Sequence, residues 1–535
     1  MHLADQYDSY PDRLDRWGRT GFLAPLGGRR YVQTLDEAVG ITRLAPAYDL
    51  TRLSPVWSEA DRKHVEENFY RATATSMLRF QQKHNHQTWY NAGLIHIASV
   101  LGDADLTRKV LTMNQGVYDQ LNTLIGDDGL WLEGTMSYHN YALQAMLQIG
   151  DAARRMGVPV HDHPKFKAMI LGPLRAAYPD GRYPAINDSD PGSVDMFNYA
   201  FAWGWKVYQD PVFAKALAGN NVEQLRAMLG PDAQPSPAIT ESEILHDSGL
   251  AILRQGAGNN MACVFLDFGP HGGGHGHFDK LNLMLYANGR EWLLDPGRIT
   301  YSHKEYKTWV KTTAAHNTIA VDQRDQNAHT GELLWLKSGD GWSATALRST
   351  EAYSGVTLTR YVLLTPTMLV DWFDVEANGK HTFDWFAHAV ADSVVPMPAL
   401  AVPGAVEPPA DAVPGNVMGD DHGYQHLTSA MRQQVAPGTP FDFNAGETIL
   451  RAWPDREATT TFTANGIGYH TAQMTPTLIR RREGKAASFV TVFDLTGDGS
   501  AVTGIAIDRT KRQVAVTTPS GSRTFTFNAD GATVK

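Results

Sequence analysis

Cysteine is almost absent: Cys263 stands alone in 535 residues. No internal disulfide can form, and no cysteine-built zinc site exists. Cys263 lies in MACVFLDF, an apolar strand-like run, and reads as a small buried hydrophobe. Long apolar runs are missing too; none approaches the roughly 20 residues that span a bilayer. The opening stretch, MHLADQYDSYPDRLDRWGRT, has no apolar signal-peptide core. A cytoplasmic location is expected if Met1 is the natural start, and a periplasmic or secreted one if a leader was removed. Excess positive charge is lacking as well. Lys and Arg number 47 against 57 Asp and Glu, a formal net charge of −10 with pI ≈ 6.0. That balance implies no nucleic-acid surface. It leaves room for an acidic substrate, because a local basic cleft can sit within a negative whole.

What is present divides in two. The chain exceeds one ordinary core, so about two or three domains are expected. Residues 1–50 read as an N-terminal extension. From 51 to 229 apolar residues recur at three- and four-residue spacing, as in SEADRKHVEENFYRATATSMLRF, TWYNAGLIHIASVLG and SYHNYALQAMLQIGDAARRMG. Ser58 is placed to cap the first of these helices, with acidic residues in its first turn. Short connections predict antiparallel helix hairpins. GPDAQPSPAITES, residues 230–242, has no periodicity and reads as a linker. From 243 to 535 strand-like runs follow one another, many joined by turns such as ANGRE at 287–291 and ANGKH at 377–381. A Pro-rich insertion at 395–415 reads as a surface loop. The expected architecture is α+β and multidomain: an incomplete α/α toroid followed by a large antiparallel β-sandwich.

The densest chemistry lies at 271–297, HGGGHGHFDKLNLMLYANGREWLLDPG. In extended backbone His275, His277 and Asp279 share a face, and four glycines let His271 join them by bending the chain. Asp295 ends a strand, and His316 precedes one in TAAHNTIAVD. Two or three imidazoles with a carboxylate suit zinc; the plainer reading is that they cap and bridge strand ends. HGHFDK also begins like the HxHxDH signature of binuclear metallohydrolases, but Lys280 replaces the final histidine and the setting is all-β.

This stretch, followed by TTAAHNT, closely resembles the heparinase II/III-like polysaccharide lyases, a group that includes heparinase-type and oligo-alginate lyases. The order HGHFD, apolar strand, DPG, Tyr and HNT matches throughout, and weaker matches reach the helical half in KHNHQTWYN and EGTMSYHNYAL. The resemblance implies a carbon–oxygen lyase that breaks the bond to O4 of a uronate by β-elimination. It implies one zinc ion, mainly structural, on His277, Asp295 and His316. Asn85 and His86 would engage the substrate carboxylate, with His86 as base for one epimer. Tyr138 would be the main acid, or acid and base together. His275 would point toward the substrate, and Tyr301 would approach from the sandwich, with Tyr306 as its substitute. Arg298 is shaped to grip a carboxylate, though a strand-end salt bridge suits it equally. Gln87 and Trp89 would contact the sugar. On spacing alone each of these aromatic residues reads as core packing.

The substrate partner is an acidic polysaccharide or oligosaccharide, alginate slightly preferred over glucuronan or glycosaminoglycan. No nucleic acid or membrane partner is implied, and a homodimer is left open. Two alternatives compete. A glycoside hydrolase on a similar toroid would use two acids, Glu133 with Asp128 or Asp188 with Asp190. A glycan-binding protein without catalysis would need none of these groups.

Overall fold

The computed structural model describes residues 1–10, 28–31, 33–235, 239–397 and 410–535. They form two compact units. The first comprises Met1–Glu133, Ser137–Leu174 and Asp195–Ser236; the second comprises Gly134–Met136, Arg175–Val194 and Pro237–Lys535. The linker expected at 230–242 falls at this boundary, with 236–238 outside the described residues.

The first unit is helical. Its elements include α1 (Thr34–Thr51), α2 (Glu59–Val65), α3 (Asn85–Leu101), α4 (Met136–Arg155) and α5 (Asn198–Tyr208). Ser58 caps α2 as expected: its hydroxyl accepts from the Asp61 N–H while Asp61 reaches back to the Ser58 N–H. The expected extension at 1–50 is revised. Residues 34–51 form an integral helix whose Ala38 comes so close to α3 that a Cβ on Gly93 would lie 3.3 Å from the Ala38 Cα. Helix α4 is buried on nearly every side, with Ala142, Leu143, Ala145, Met146 and Ile149 fully enclosed.

The second unit is all antiparallel sheet. A five-stranded sheet runs in sequence order: β1 (Glu243–Leu245), β2 (Leu250–Gln255), β3 (Ala262–Asp267), β4 (Leu283–Ala287) and β5 (Arg290–Leu293). The ANGRE turn is the predicted hairpin between β4 and β5, with Asn288 and Gly289 both at positive φ, 55° and 73°. A larger, twelve-stranded sheet has as its main path β6 (Glu332–Gly339), β7 (Trp342–Tyr353), β8 (Val356–Leu364), β9 (Met368–His388), β10 (Ser393–Pro396), β11 (Phe441–Ala445), β12 (Thr448–Pro454) and β13 (Met474–Asp494). Its order is β10-β11-β12-β13-β9-β8-β7-β6. A four-stranded sheet over residues 504–534 closes the chain.

These sheets stack as three layers rather than two. Leu253, Val264, Leu285 and Trp292 of the five-stranded sheet share one core with Leu358, Phe373, Phe383 and Phe489 of the large sheet. The opposite face of the large sheet, through Val370, Trp372, Val490 and Val492, packs on Val514, Val516 and Phe525 of the C-terminal sheet. A third core joins Phe386 and Ile479 to Trp309 and Tyr424. The long strands β9 and β13 feed all three cores.

The turn expected at 377–381 is absent. β9 runs straight through ANGKH, and a register shift between Glu376 and His381 against β13 takes up the extra residues. A bulge suffices because β13 is long enough to pair with both halves. Of the Pro-rich loop at 395–415, residues 398–409 lie outside the described residues; β10 and a short strand, Ala410–Ala412, flank it.

Residues 175–194 also depart from expectation. They lie inside the predicted helical stretch but belong to the sheet unit. Tyr178 anchors them, stacking on Tyr286 at 5.2 Å and donating its hydroxyl to Glu291 at 3.0 Å. The turn-rich PDGRYPAINDSDPG has no helical period to hold it in the first unit.

Candidate active site

In the helical unit the candidate residues gather at the start of α3 and around Glu133. His84 caps α3, its Nδ1 accepting the His86 N–H at 3.1 Å. Asn85 is buried and donates its amide N–H to both Glu133 oxygens, at 2.9 and 3.2 Å. The Trp131 indole donates to the same carboxylate at 2.8 Å. The Asn85 carbonyl oxygen is buried without a hydrogen-bond partner. That suits the recognition of a donor: a sugar hydroxyl or a protonated carboxyl.

Tyr138 sits half-buried in the first turn of α4. Its neighbour His139 is structural. The His139 Nδ1 accepts from Trp131 N–H at 3.2 Å and its Nε2 lies 3.0 Å from the Met169 carbonyl, which fixes the tautomer. Complete burial pushes its pKa down to about 4, so the ring is neutral. Gln87 is fully buried and spent internally. It accepts from the Gln82 N–H at 3.0 Å and donates to Asn91 at 3.2 Å, bracing the loop before α3 rather than facing a sugar. Trp131 is core, while Trp89 lines a pocket.

In the sheet unit the centre is a carboxylate weighed in the sequence only as a hydrolase acid. Asp188 is fully buried and takes hydrogen bonds from His275 Nδ1 at 2.9 Å, His277 Nε2 at 3.2 Å and the Tyr306 hydroxyl at 2.8 Å. The Tyr301 hydroxyl lies farther off, at 3.4 Å. Burial alone would raise the Asp188 pKa, but the donors from His275 and His277 outweigh it and hold the carboxyl well below its ordinary range. Tyr306 is pushed the other way by burial and by Asp188, so its phenol stays protonated as a permanent donor. Tyr301 is 44% exposed, with its ring edge-on to Tyr306 at 4.7 Å.

Local backbone makes this convergence possible. The loop between β3 and β4 folds so tightly that a Cβ on Gly276 would lie 1.3 Å from the His271 carbonyl oxygen. Gly297, at φ 62°, lets the DPG turn pass the 187–190 segment, where a Cβ would lie 2.5 Å from the Ser189 oxygen. Arg298 is paired with Asp190, its Nε 3.1 Å from the carboxylate and its Nη2 bonded to the second oxygen. The salt-bridge alternative is therefore the one observed.

His277, Asp295 and His316 come together as a possible metal-binding triad, all fully buried, with one donor atom from each lying within 4.8 Å of the others. His316 Nδ1 donates to the Thr312 carbonyl at 2.8 Å, which turns Nε2 toward the other two residues. His277 Nε2 faces Asp188, leaving Nδ1 for the triad. His277 Nδ1 and His316 Nε2 lie 3.3 Å apart. That spacing matches a tetrahedron edge for metal–nitrogen bonds of about 2.0–2.1 Å. Carboxylate and carbonyl partners on the outer nitrogens are the usual support of ligating imidazoles.

The site favours positive charge. Burial opposes it on His316, but Asp295 and Asp279 outweigh that and lift the imidazole to about 9. Asp279 is fully buried, neither of its carboxylate oxygens has a hydrogen-bond partner, and one lies 3.8 Å from His316 Nε2. Lys280 is locked in the core between Asp267, at 2.5 Å, and Asp279, at 3.3 Å. His271 stays outside the group, packed on Phe278.

Two family models match the chain. Residues 240–436 fit the heparinase II/III-like C-terminal domain, and residues 4–170 fit the alginate lyase domain. The chain is a polysaccharide lyase whose helical region carries the alginate lyase match and whose sheet region carries the heparinase II/III-like match. An exo-oligoalginate lyase of Saccharophagus degradans is 26% identical, over 89% of this chain and 72% of its own. An alginate lyase of Stenotrophomonas maltophilia is 27% identical, over 75% of this chain and 59% of its own. Among solved structures, a heparan sulfate lyase from Pedobacter heparinus superposes with TM-score 0.68 at 16% identity, covering 94% of this chain and 75% of that one. A heparinase III gives 0.69 at 13% identity, covering 100% and 79%. At such identities the structural likeness speaks for the fold, the helical region followed by antiparallel sheets seen in this lyase.

Beyond the expected residues, the site uses Asp188, Glu133, Asn187, Asn282 and Asn317. The Asn187 carbonyl accepts the His277 N–H at 3.0 Å, and Asn282 donates to Asp295 at 3.0 Å. Asn317 donates to the Leu283 and Leu294 carbonyls, tying the strands beneath the triad together. Glu133 and Asp188 were marked in sequence only as acids for a hydrolase, and Asn187, Asn282 and Asn317 only by position within NDSDPG, DKLN and HNT, which names no role.

Proposed function

We propose that this lyase cleaves a uronate polysaccharide by β-elimination, with alginate or its oligomers as substrate. The observation that carries the reading is the Asp188–His275 pair. A buried carboxylate holds the imidazole by Nδ1 and so makes Nε2 the basic nitrogen, the orientation a general base requires. The chemistry asks for three services. Removal of the C5 proton needs a base, which His275 or His86 supplies. Charge on the C6 carboxylate must be met as the enolate-like intermediate forms; His86 is assigned that task, and the Asn85 carbonyl accepts from the carboxyl in its protonated form. The C4–O4 bond then breaks, a C4–C5 double bond forms, and Tyr138 donates its proton to the leaving O4. Tyr301 serves as a further hydroxyl at the substrate, and Tyr306 positions Asp188.

His277, Asp295 and His316 would hold the metal, which we assign as zinc from two imidazoles and a carboxylate. When bound it would supply fixed charge that braces the loop carrying His275. Asp279, with an oxygen 3.8 Å from His316 Nε2, is a further candidate donor. The chain's own residues carry every proton.

A hydrolase reading is weakened by the state of its carboxylates. A general acid must keep a proton near neutral pH, whereas Asp188 is held ionised, Asp190 is bound to Arg298, and Glu133 is occupied by Asn85 and Trp131. A homodimer finds no supporting observation in the single chain. The test is a panel of alginate, polymannuronate, polyguluronate, glucuronan, hyaluronan, chondroitin and heparan sulfate followed by ultraviolet absorbance. A rise on alginate is expected from the conjugated double bond; new reducing ends without absorbance would overturn elimination.

A further inference from the structure

The helical unit carries a pocket of about 360 Å³ that the reading above does not use. Arg43 of α1, Trp89 of α3, Gln144 and Gln148 of α4, and Tyr199 and Trp203 of α5 line it. Helix α4 is otherwise enclosed, yet Tyr141, Gln144, Gln148 and Asp151 stay half-exposed at spacings of three, four and three residues. That spacing puts them on one stripe. Packing alone would place apolar residues there. The Trp89 indole N–H, on a residue 6% exposed, is buried with no hydrogen-bond partner, a costly state in a protein interior. Tyr199 is 39% exposed, with its hydroxyl fixed on Asn140 at 2.8 Å, and Trp203 is held by Asp151 at 2.9 Å. Arg43 is exposed and has no ion pair among the described residues.

This lining matches one ligand chemistry. Fixed aromatic rings suit the apolar C–H face of a pyranose, paired amides suit neighbouring hydroxyls, and a guanidinium suits a carboxylate. The volume is within the usual scale of ligand sites, about 300–1,000 Å³. The pocket begins one helical turn from the proposed catalytic residues: Trp89 follows His86 on α3, and Tyr141, 5.2 Å from Trp89 between ring centroids, follows Tyr138 on α4. Gln148 lies ten residues beyond Tyr138, about 15 Å along the axis. We propose that this pocket binds a uronate residue of the substrate chain remote from the bond being broken, so that it reads substrate length. The inference rests on the uronate-lyase reading.

The experiment compares the wild type with the double variant Arg43→Ala, Gln148→Leu on alginate oligomers of increasing length, following absorbance. In parallel, an alginate hexasaccharide is titrated calorimetrically into Tyr138→Phe protein with and without the two changes. The expected result is a wild-type kcat/KM that rises with length, a loss in the variant that grows with length to about tenfold, and a matching loss of hexasaccharide affinity. Equal loss at every length, or none, overturns the pocket while leaving the lyase intact. Wild-type protein silent on every uronate polymer sinks the lyase reading instead. The titration then decides the pocket alone: weakened binding in the double variant supports it, and unchanged or absent binding overturns it.

Discussion

Glu133 in the helical unit and Asp188 in the sheet unit are both buried carboxylates at the heart of a candidate cluster, and they do opposite work. Glu133 collects neutral donors, the Asn85 amide and the Trp131 indole. It thereby fixes a carbonyl and a helix start. Asp188 collects two imidazoles and a phenol. It thereby sets the tautomers of His275 and His277 and joins the proposed base to the metal-binding triad through a single side chain. One cluster is rigid scaffolding for recognition; the other is a proton- and cation-handling device. A carboxylate's role follows from what donates to it, and a count of acidic residues does not reveal it.

The largest effect expected is at Tyr138. Tyr138→Phe removes the proposed acid and should lower kcat by about 100- to 10,000-fold, with an unchanged circular dichroism spectrum and metal content. Normal turnover would move the proton transfer out of the helical unit and break the division just drawn. Asp188→Asn comes next. It keeps the shape but replaces one acceptor oxygen with a donor, so His275 and His277 lose their orientation together. Activity and metal affinity should each fall by about 10- to 100-fold; a loss confined to one of them would uncouple base from triad. His277→Ala should abolish metal binding by elemental analysis and lower Tm by several degrees, with a smaller fall in kcat than at Tyr138. Native protein free of metal would reduce the triad to a buried polar cluster.

The smallest effect sharpens the contrast by pH. Burial lifts the Glu291 carboxyl from 4.5 to about 7, against hydrogen bonds from Tyr469 and Tyr178. The folded state therefore holds its proton more tightly than the unfolded state. The stability this confers is full below the unfolded value and is lost as pH rises through about 7. Glu291→Gln should flatten the fall in Tm across that window; parallel Tm curves for the two proteins would assign the pH response elsewhere.

Much of this was legible in the sequence. Period 3.6 giving way to period 2 placed the helical and sheet units because that signal is local, and the resemblance carried by HGHFD, DPG and HNT named the triad. Other features escaped. Asp188 lies nearly ninety positions from His275, in a turn-rich stretch whose partnership is set by Tyr178 packing on Tyr286. The ANGKH turn was misjudged because a strand partner long enough to absorb a bulge is invisible in a local window. For Arg298 the sequence left a substrate clamp and a salt bridge equally open, and its partner Asp190 lies 108 positions away. Gln87 shared a promising motif with His86, but helical geometry turned it inward.

One feature of the sheets bears on how the protein comes apart. β9 and β13 lie side by side, each 21 residues long, and each lends side chains to all three cores. No layer owns its own spine. Heating the sheet unit therefore finds no layer to strip away, and the triad should vanish in the same cooperative step as the distant C-terminal strands.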